Sequence, residues 1–475
     1  MSTDVGLRAA RSADEQATPG DRMLLMVGAV VAGVAAIAYI VALATHPSVA
    51  LLKGFDLSVY VGGAGQALHD PGNLYSWIYQ GHPGIQFTYT PFAALLFTLG
   101  RVLPFHGLLG LVAVVSTFSL FAAIWIAFRE LGWRPVARAG ATLLIGGLAF
   151  WTEPVQRGLF LGQIELALMA VIVWDMCQSD RRWWKGAAVG IVAGVDLIPL
   201  LYIAYLIVTR RFRQAAVALG AFVLTIVIGF AALPHASVTW WIHGSFFQAQ
   251  RTGFVGSQEN QSLRGILTRL IGSVNGAEAP WLLVAFVVLV LVLIAAAVLH
   301  NSGYTFAGLM VCALGTVLAS PISWDHHWVW IAPGIALIVD AGVRAARGGA
   351  SAAAAGSLET RGESARGWFG GAATWWYALA GVVLVAYAAW PDFWSAKSGV
   401  LQGGLINYAP TASFEYGNNP AYPEYHWHGL QLIAGNLYIL GGMGLFLVAL
   451  VVAFRVARTH GGVTALLLHP RAPRP

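Results

Sequence analysis

Charged side chains are scarce in this sequence of 475 residues, because Asp, Glu, Lys and Arg together make up 10% of it. An average soluble domain has about 25%. Hydrophobic residues make up 58%, so the composition indicates a polytopic membrane protein. The net charge of +6 comes from short basic clusters between apolar runs. We therefore expect no nucleic-acid partner.

Cysteine is nearly absent. Cys177 and Cys312 lie within or at the end of apolar runs, which favours small core residues over a disulfide. The sequence contains no Cys/His spacing typical of a zinc site. We expect no metal and no cofactor.

Long apolar runs predict an all-α fold. Several runs are near or above the ~20 residues that cross the bilayer as a helix, and lipid offers no partner for open backbone polar groups. The alternating pattern of an outer-membrane barrel is absent. We expect about 10–12 transmembrane helices, some of them broken. The clearest runs are Met23–Thr45, Leu108–Phe128, Trp281–Leu299 and Leu430–Phe454.

Basic clusters at the ends of the runs mark the cytoplasmic side. They place the tails 1–22 and 456–475 inside, around a membrane domain over 23–455, and they make the Ala/Gly/Ser-rich segment 345–371 a cytoplasmic linker. The predicted outer loops are 46–89, 234–280, 320–327 and 391–428.

Two segments fit this topology only as broken or re-entrant helices. They are Thr90–Arg101, before Pro104, and Gly186–Val208, which holds Asp196 and Pro199. Such segments are tolerated where they line a cavity or are buried in protein. The remaining predicted spans are Ala139–Trp151, Leu159–Asp175, Gln214–Leu233, Tyr304–Ala319, Trp328–Arg344 and Thr374–Ala389.

Asp56 is the first candidate for chemistry, because it follows the first span in an otherwise charge-poor chain. It could equally cap a helix that begins at Leu57. Glu153 and Arg157 could form a plain interfacial ion pair. Gln163 lies inside a predicted span, where polar residues face the bundle interior or a wet cavity.

Two later segments also leave alternatives open. The segment 259–269 could supply a site or lie on the membrane with Arg264 and Arg269 against lipid phosphates. His326 and His327 follow Asp325, but neighbouring helical residues point ~100° apart, which disfavours joint metal binding. A histidine acting as phosphate partner or proton carrier fits better.

Together these groups converge on one predicted membrane face, beside the two broken helices. A base that accepts a hydroxyl proton, with cations that hold a phosphate leaving group, is what glycosyl transfer from a lipid phosphate requires.

Five ordered motifs run through most of the chain. They are Phe55–Tyr60, Thr88–Pro91, Leu161–Gln163, Gln258–Arg264 and Ser320–Trp328. Together they resemble glycosyltransferase family 87, which comprises polyprenyl-phosphate-sugar-dependent enzymes of the GT-C group in actinobacterial envelopes. The resemblance is greatest to α-1,2-mannosyltransferases that elongate phosphatidylinositol mannosides or branch lipomannan.

The resemblance implies roles for these residues. Asp56 is the expected general base of an inverting transfer from polyprenyl-phosphate mannose to a phosphatidylinositol mannoside hydroxyl. The expected site lies on the outer face of the cell membrane. The candidates to hold the donor phosphate are Arg264, His326, His327 and Arg157, and the other expected site residues are Gln163, Tyr60, Tyr89, Glu153 and Asn260.

Two positions depart from the family pattern, since Glu165 stands where Asn is usual and Asp196 where Lys is usual. These carboxylates keep a secondary transporter open as a rival function. A decaprenyl-phosphoryl-arabinose donor is the alternative within the family. The sequence leaves the oligomeric state open.

Overall fold

A computed structural model of the chain describes residues 17–45, 52–81, 85–248, 251, 253–354, 373–389, 404–411, 419 and 421–468. Within these residues the fold is all-helical, as predicted, with isolated β-bridges and no longer strand. The helices of eight or more residues are, in chain order, α1 (Pro19–Thr45), α2 (Phe55–His69), α3 (Pro91–Thr98), α4 (Phe105–Glu130), α5 (Pro135–Phe150), α6 (Glu153–Leu161), α7 (Glu165–Met176), α8 (Ala187–Val195), α9 (Leu200–Val208), α10 (Phe212–Ala232), α11 (Leu263–Ile271), α12 (Val274–Asn301), α13 (Thr305–Ala319), α14 (Ile331–Ala354), α15 (Ala373–Ala386) and α16 (Leu437–Thr459).

Six helices in the described part of the chain are long and apolar enough to cross a membrane, and a bent pair makes a possible seventh span. The six spans belong to α1, α4, α10, α12, α14 and α16. Shorter apolar helices, among them α5, α13 and α15, pack beside them. The fold is therefore a polytopic helical bundle.

Two predicted helix breaks are confirmed, and the structure has a third break that was not predicted. α3 and the 3₁₀ turn after it are too short for a full crossing, and α8 and α9 are separate helices on either side of Asp196 and Pro199. The predicted span Leu159–Asp175 is wrong as a continuous helix. α6 and α7 instead meet at a bend of 117°.

The predicted linker 345–371 begins too early, because α14 continues to Ala354. The rest of that segment lies outside the described residues, as do most of the N-terminal tail, the end of the C-terminal tail and much of the loop 391–428.

The length of α4 matches the thickness of the hydrocarbon core of a membrane. Near its start, Leu109 packs beside Gly54 and Gly162. Near its end, Arg129 donates a hydrogen bond to the Cys177 carbonyl at 3.2 Å. The twenty residues between Leu109 and Arg129 rise about 30 Å at 1.5 Å each, which is the thickness of the hydrocarbon core. These two ends therefore lie at opposite faces of the membrane domain.

Candidate active site

A cavity of about 660 Å³ opens beside the start of α2. Its polar wall includes Asp56, Gln163 and the His326–His327 pair. Its apolar wall comes mainly from α9, α12 and α13, with Leu200, Leu201, Ala204, Leu289 and Ala319. A cavity that is polar on one side and aliphatic on the other suits an amphiphilic ligand.

Asp56 lies inside α2 and does not cap it. The helix begins at Phe55, and its N-cap is Gly54, whose backbone is left-handed at φ 66°. The side chain of Asp56 instead accepts a hydrogen bond of 2.5 Å at Oδ2 from Gln163 Nε2. The capping alternative is wrong, and the carboxylate is available to the cavity.

A chain of hydrogen bonds runs from Asp56 across the site. Gln163 Oε1 accepts a bond of 2.5 Å from the Tyr60 hydroxyl, and the Tyr60 and Tyr89 hydroxyls are 3.0 Å apart. The single hydroxyl proton of Tyr89 can go either to the Tyr60 oxygen or to Glu165 Oε1 at 3.3 Å. The predicted site residues Gln163, Tyr60 and Tyr89 thus form one network with Asp56.

The bend between α6 and α7 puts Gln163 in this network. Gly162 ends α6 in a left-handed conformation with φ 73°. A Cβ at this position would lie 2.8 Å from Cβ of Leu57 and 3.3 Å from Cα of Gly54. Only glycine adopts this conformation cheaply, so Gly162 lets the chain turn against the start of α2.

The surroundings of Asp56 shift its acidity. Burial raises the pKa of the Asp56 carboxyl above its usual value, because desolvation penalises the charged form. The nearby His326 and Arg157 and the hydrogen bond from Gln163 act in the opposite direction. Asp56 is therefore a stronger base than an exposed aspartate.

His326 and His327 lie on a 3₁₀ turn, Asp325–Trp330, that precedes α14. His326 Nδ1 lies 3.1 Å from Asp325 Oδ1. His327 Nε2 lies 3.9 Å from Glu165 Oε1. Both rings line the cavity, so the structure brings the histidine pair to the site.

Arg157 and Glu153 lie behind this wall, not on it. Arg157 forms an ion pair with Glu259 and a second one with Asp325 at 3.8 Å. Glu153 is fully buried, accepts a hydrogen bond of 2.9 Å from Tyr438, and lies next to Asp325. Both residues hold the turn that carries the histidines.

Asn260 and Arg264 also lie outside the cavity wall. Asn260 donates to the Val255 carbonyl at 2.8 Å and accepts from the Ser323 backbone at 3.0 Å, which joins the segment around Asn260 to the segment around Ser323. Arg264 lies 4.9 Å over the Trp281 ring and 3.8 Å from Glu278. Neither residue is placed to contact a ligand in the cavity.

The surface-helix alternative for the segment 259–269 also fails, because Arg269 is buried and does not face lipid. Its guanidinium donates to Asn436 Oδ1 at 2.6 Å and to the Ser257 carbonyl at 2.6 Å. The segment is therefore packed into the protein and does not lie on the lipid surface.

Arg251 is a cavity residue that the sequence reasoning missed. Among the described residues of the wall it is the sole Lys or Arg. It donates to the Tyr75 carbonyl, its guanidinium lies 5.9 Å from the Tyr75 ring centroid, and its Nε has no hydrogen-bond partner. No local motif marks it, since only the tertiary fold brings Arg251, with Ser245, Phe246 and Gln248, to the site.

Asp196, one of the two atypical carboxylates, lines the cavity as well. Its Oδ1 accepts a hydrogen bond of 3.1 Å from the Ile198 backbone within the break between α8 and α9. No arginine pairs with Asp196 in the part of the chain that the structure describes. The wall therefore carries more carboxylate than permanent positive charge.

Comparison with known proteins identifies relatives. Residues 87–321 match the model of glycosyltransferase family 87. The chain is 33% identical over 294 residues, 61% of its length and 67% of the relative's, to a polyprenol-phosphate-mannose-dependent alpha-(1-2)-phosphatidylinositol pentamannoside mannosyltransferase of Mycobacterium tuberculosis. A protein of the same description from Mycolicibacterium smegmatis is 33% identical over 310 residues, 62% of this chain and 71% of that one.

A further relative from Mycobacterium tuberculosis is described as a polyprenol-phosphate-mannose-dependent alpha-(1-2)-phosphatidylinositol mannoside mannosyltransferase. It is 26% identical over 287 residues, 58% of this chain and 65% of its own. No solved structure matches the chain significantly.

Proposed function

The chain belongs to glycosyltransferase family 87, and from that premise we propose that it transfers mannose from a polyprenyl-monophosphate donor to a phosphatidylinositol mannoside. The product is an α-1,2 linkage. The observation that carries the proposal is Asp56, a carboxylate on the wall of an amphiphilic cavity with a raised pKa and a fixed orientation.

Asp56 acts as general base in the proposed reaction. The acceptor hydroxyl oxygen attacks C1 of the mannose and its proton passes to Asp56, while the bond from C1 to the phosphate oxygen breaks. Attack opposite the leaving group turns a β-linked donor into an α-mannoside. One carboxylate suffices, because the departing phosphate needs countercharge more than a proton.

The donor phosphate is held by groups that face the cavity. His326, His327 and Arg251 meet this condition, whereas Arg157 and Arg264 are engaged behind or outside the wall. The aliphatic wall accommodates the first part of the prenyl chain. Trp240 and Trp324, which also line the cavity, offer aromatic faces to a sugar.

The distribution of charge supports an active site on the extracytoplasmic face of the cell membrane. The end of α4 lies among basic residues, since Arg129 bonds to Cys177 and Arg344 donates to the Leu131 carbonyl at 2.7 Å. Positive charge marks the cytoplasmic side. Asp56 lies at the other end of α4, about 30 Å away.

A reconstituted assay tests this function. The purified full chain in lipid nanodiscs is given synthetic polyprenyl-phosphate mannose and a panel of phosphatidylinositol mannosides, and products are identified by mass spectrometry. We expect one added mannose in α-1,2 linkage. Arabinose transfer from the corresponding arabinose donor, or vesicle uptake of a solute without any transfer, contradicts the proposal.

A further inference from the structure

We propose that Glu165, His326 and His327 form a binding site for a divalent transition-metal ion at the edge of the cavity. One ligand atom from each of the three residues lies within 4.8 Å of the other two. Glu165 comes from the first turn of α7, and the histidines come from the turn before α14. The site therefore joins two segments that lie 161 residues apart in the sequence, from 165 to 326.

Three buried atoms in this cluster have no hydrogen-bond partner. They are Glu165 Oε2, His326 Nε2 and His327 Nδ1. The Glu165 side chain is 10% exposed and the His326 side chain 5%. A buried polar atom without a partner is costly. Glu165 Oε2 and His326 Nε2 are two such atoms beside His327 Nε2, and together they indicate a missing ligand.

The neighbours of the cluster orient it as they do in known metal sites. His326 Nδ1 faces Asp325 Oδ1 at 3.1 Å, which leaves the lone pair of Nε2 free. Glu165 Oε1 lies 3.3 Å from the Tyr89 hydroxyl, which leaves Oε2 free. A metal-binding histidine typically donates its other ring N–H to a carboxylate or carbonyl, and this contact fixes its tautomer.

The ~100° between neighbouring side chains of a helix describes only the directions of the Cα–Cβ bonds, whereas metal binding depends on where the rings lie. In the structure the rings of His326 and His327 stand perpendicular, with centroids 4.8 Å apart, and both reach toward Glu165. Ligands on a tetrahedral ion with bonds of 2.0–2.1 Å are about 3.4 Å apart. Small side-chain rotations therefore close the site.

The donor set selects the kind of ion. Two imidazoles and one carboxylate suit Zn²⁺, Mn²⁺ or Fe²⁺ better than Mg²⁺ or Ca²⁺, which prefer oxygen ligands. Three protein ligands leave at least one coordination position open. Because both histidines line the cavity, that position faces the ligand space.

An ion here would supply charge that the cavity wall lacks. Asp56 and Asp196 line the cavity, and Arg251 is the sole Lys or Arg among its described lining residues. An oxygen of the donor phosphate could occupy the open position, so that His326 and His327 hold the phosphate through the ion and not by direct contact, and the ion stabilises the leaving group. This role rests on the proposed mannosyl transfer, whereas the metal site itself does not.

Metal binding without substrates tests the site. The untagged full chain in nanodiscs is stripped with a chelator, dialysed, and titrated with Zn²⁺, Mn²⁺ and Co²⁺. Bound metal is counted by mass spectrometry, and Co²⁺ is followed by its visible absorption. We expect one ion per chain and Co²⁺ bands typical of nitrogen and oxygen ligands. A wild-type chain that binds no ion overturns the proposal.

Variants locate the ion. E165Q and the double variant H326A/H327A are expected to lower the affinity at least 10-fold, and D325N by about 10-fold through the orientation of His326. The matched control is H235A/H243A, which removes two exposed histidines and should bind like wild type. Equal affinity in E165Q, H326A/H327A and wild type contradicts the site.

The experiments can contradict the proposed metal site and the proposed reaction independently. A chain that binds one ion through this cluster but transfers no mannose supports the site and overturns the proposed function. A chain that binds no ion but transfers mannose overturns the site and leaves the function standing.

Discussion

Gln163 donates a hydrogen bond of 2.5 Å to Oδ2 of Asp56, although the two residues are 107 positions apart in the sequence. The other end of the same amide accepts from Tyr60. Because both ends of the amide are engaged, Gln163 cannot flip without losing a bond. Gln163 therefore holds the proposed base in one orientation and favours its charged form.

Replacement of Gln163 should change the pH dependence of transfer. In Q163A, loss of the donor raises the pKa of Asp56 further, because the hydrogen bond favours the carboxylate. Asp56 must be deprotonated to act, so activity falls as the pH drops through its pKa. A hydrogen bond to a charged group is worth about 1.5–3 kcal/mol, so the acid limb of kcat/KM should move up by about one to two pH units.

The control for this experiment is Q66A, also on α2, where Gln66 bonds only the Asp70 carbonyl in the described contacts. Its pH profile should match that of the wild type. An acid limb in Q163A that stays at the wild-type pH would mean that Asp56 is not the titrating base.

Replacement of Arg251 should raise the donor KM, whereas replacement of Arg264 should not. R251A removes the arginine of the cavity wall, and loss of a charge-assisted hydrogen bond to the phosphate should raise the donor KM by about 10-fold or more. R264A removes a guanidinium that packs over Trp281, outside the wall. Its donor KM should stay within about 2-fold of wild type in steady-state assays of membrane preparations.

A large rise in donor KM for R264A, with none for R251A, would restore the phosphate role that the family resemblance implies for Arg264. It would also show that the described cavity is not the donor site.

Gly162 should be essential for both stability and activity. G162A forces a left-handed residue with a Cβ 2.8 Å from Leu57, so we expect a loss of about 2 kcal/mol or more and displacement of Gln163. G132A is the control, because Gly132 also has a positive φ of 79° but nothing within 4 Å of a new Cβ. The thermal unfolding midpoint in detergent and the transfer activity should both be lower for G162A than for G132A.

If G162A and G132A lose equal stability and keep equal activity, the close approach of Gly162 to α2 has no consequence for the site.

Arg157 should matter for stability more than an exposed arginine does. R157A leaves Asp325 buried without its nearest guanidinium, and breaking a buried pair costs about 3 kcal/mol or more. R129A breaks an exposed pair with Glu130 and should cost about 1 kcal/mol or less. The thermal unfolding midpoint of R157A should therefore be several degrees lower than that of R129A, and equal midpoints would contradict the structural role of Arg157.

Elements marked by proline were predictable from the sequence, whereas the bend at Gly162 was not. The breaks in Thr90–Arg101, before Pro104, and at Pro199 were predicted because a full crossing there conflicts with basic residues on the cytoplasmic side, and a proline cannot continue a preceding helix. Gly162 sits in an apolar run where a single glycine is compatible with a continuous helix. Only its contact with Leu57 and Gly54 reveals the turn.

The candidate site was predictable in part for a similar reason. Asp56 and the histidine pair stood out because charged and titratable groups are costly in a charge-poor membrane protein, and the structure places all three on one cavity. Arg251 and Arg264 both lie between α10 and α12 in the sequence, with nothing local to distinguish them. Which arginine faces the cavity depends on long-range packing, as with Arg251 on the Tyr75 carbonyl.

The most direct test of the proposed reaction compares D56N with D70N in the reconstituted transfer assay. Asp56 lines the cavity, whereas Asp70 is exposed just after the other end of the same helix. D56N should fold and insert normally and lose about 10²- to 10⁴-fold in kcat, the usual contribution of a general base, while D70N keeps wild-type turnover. Wild-type turnover in folded D56N would contradict the assignment of Asp56 as the catalytic base.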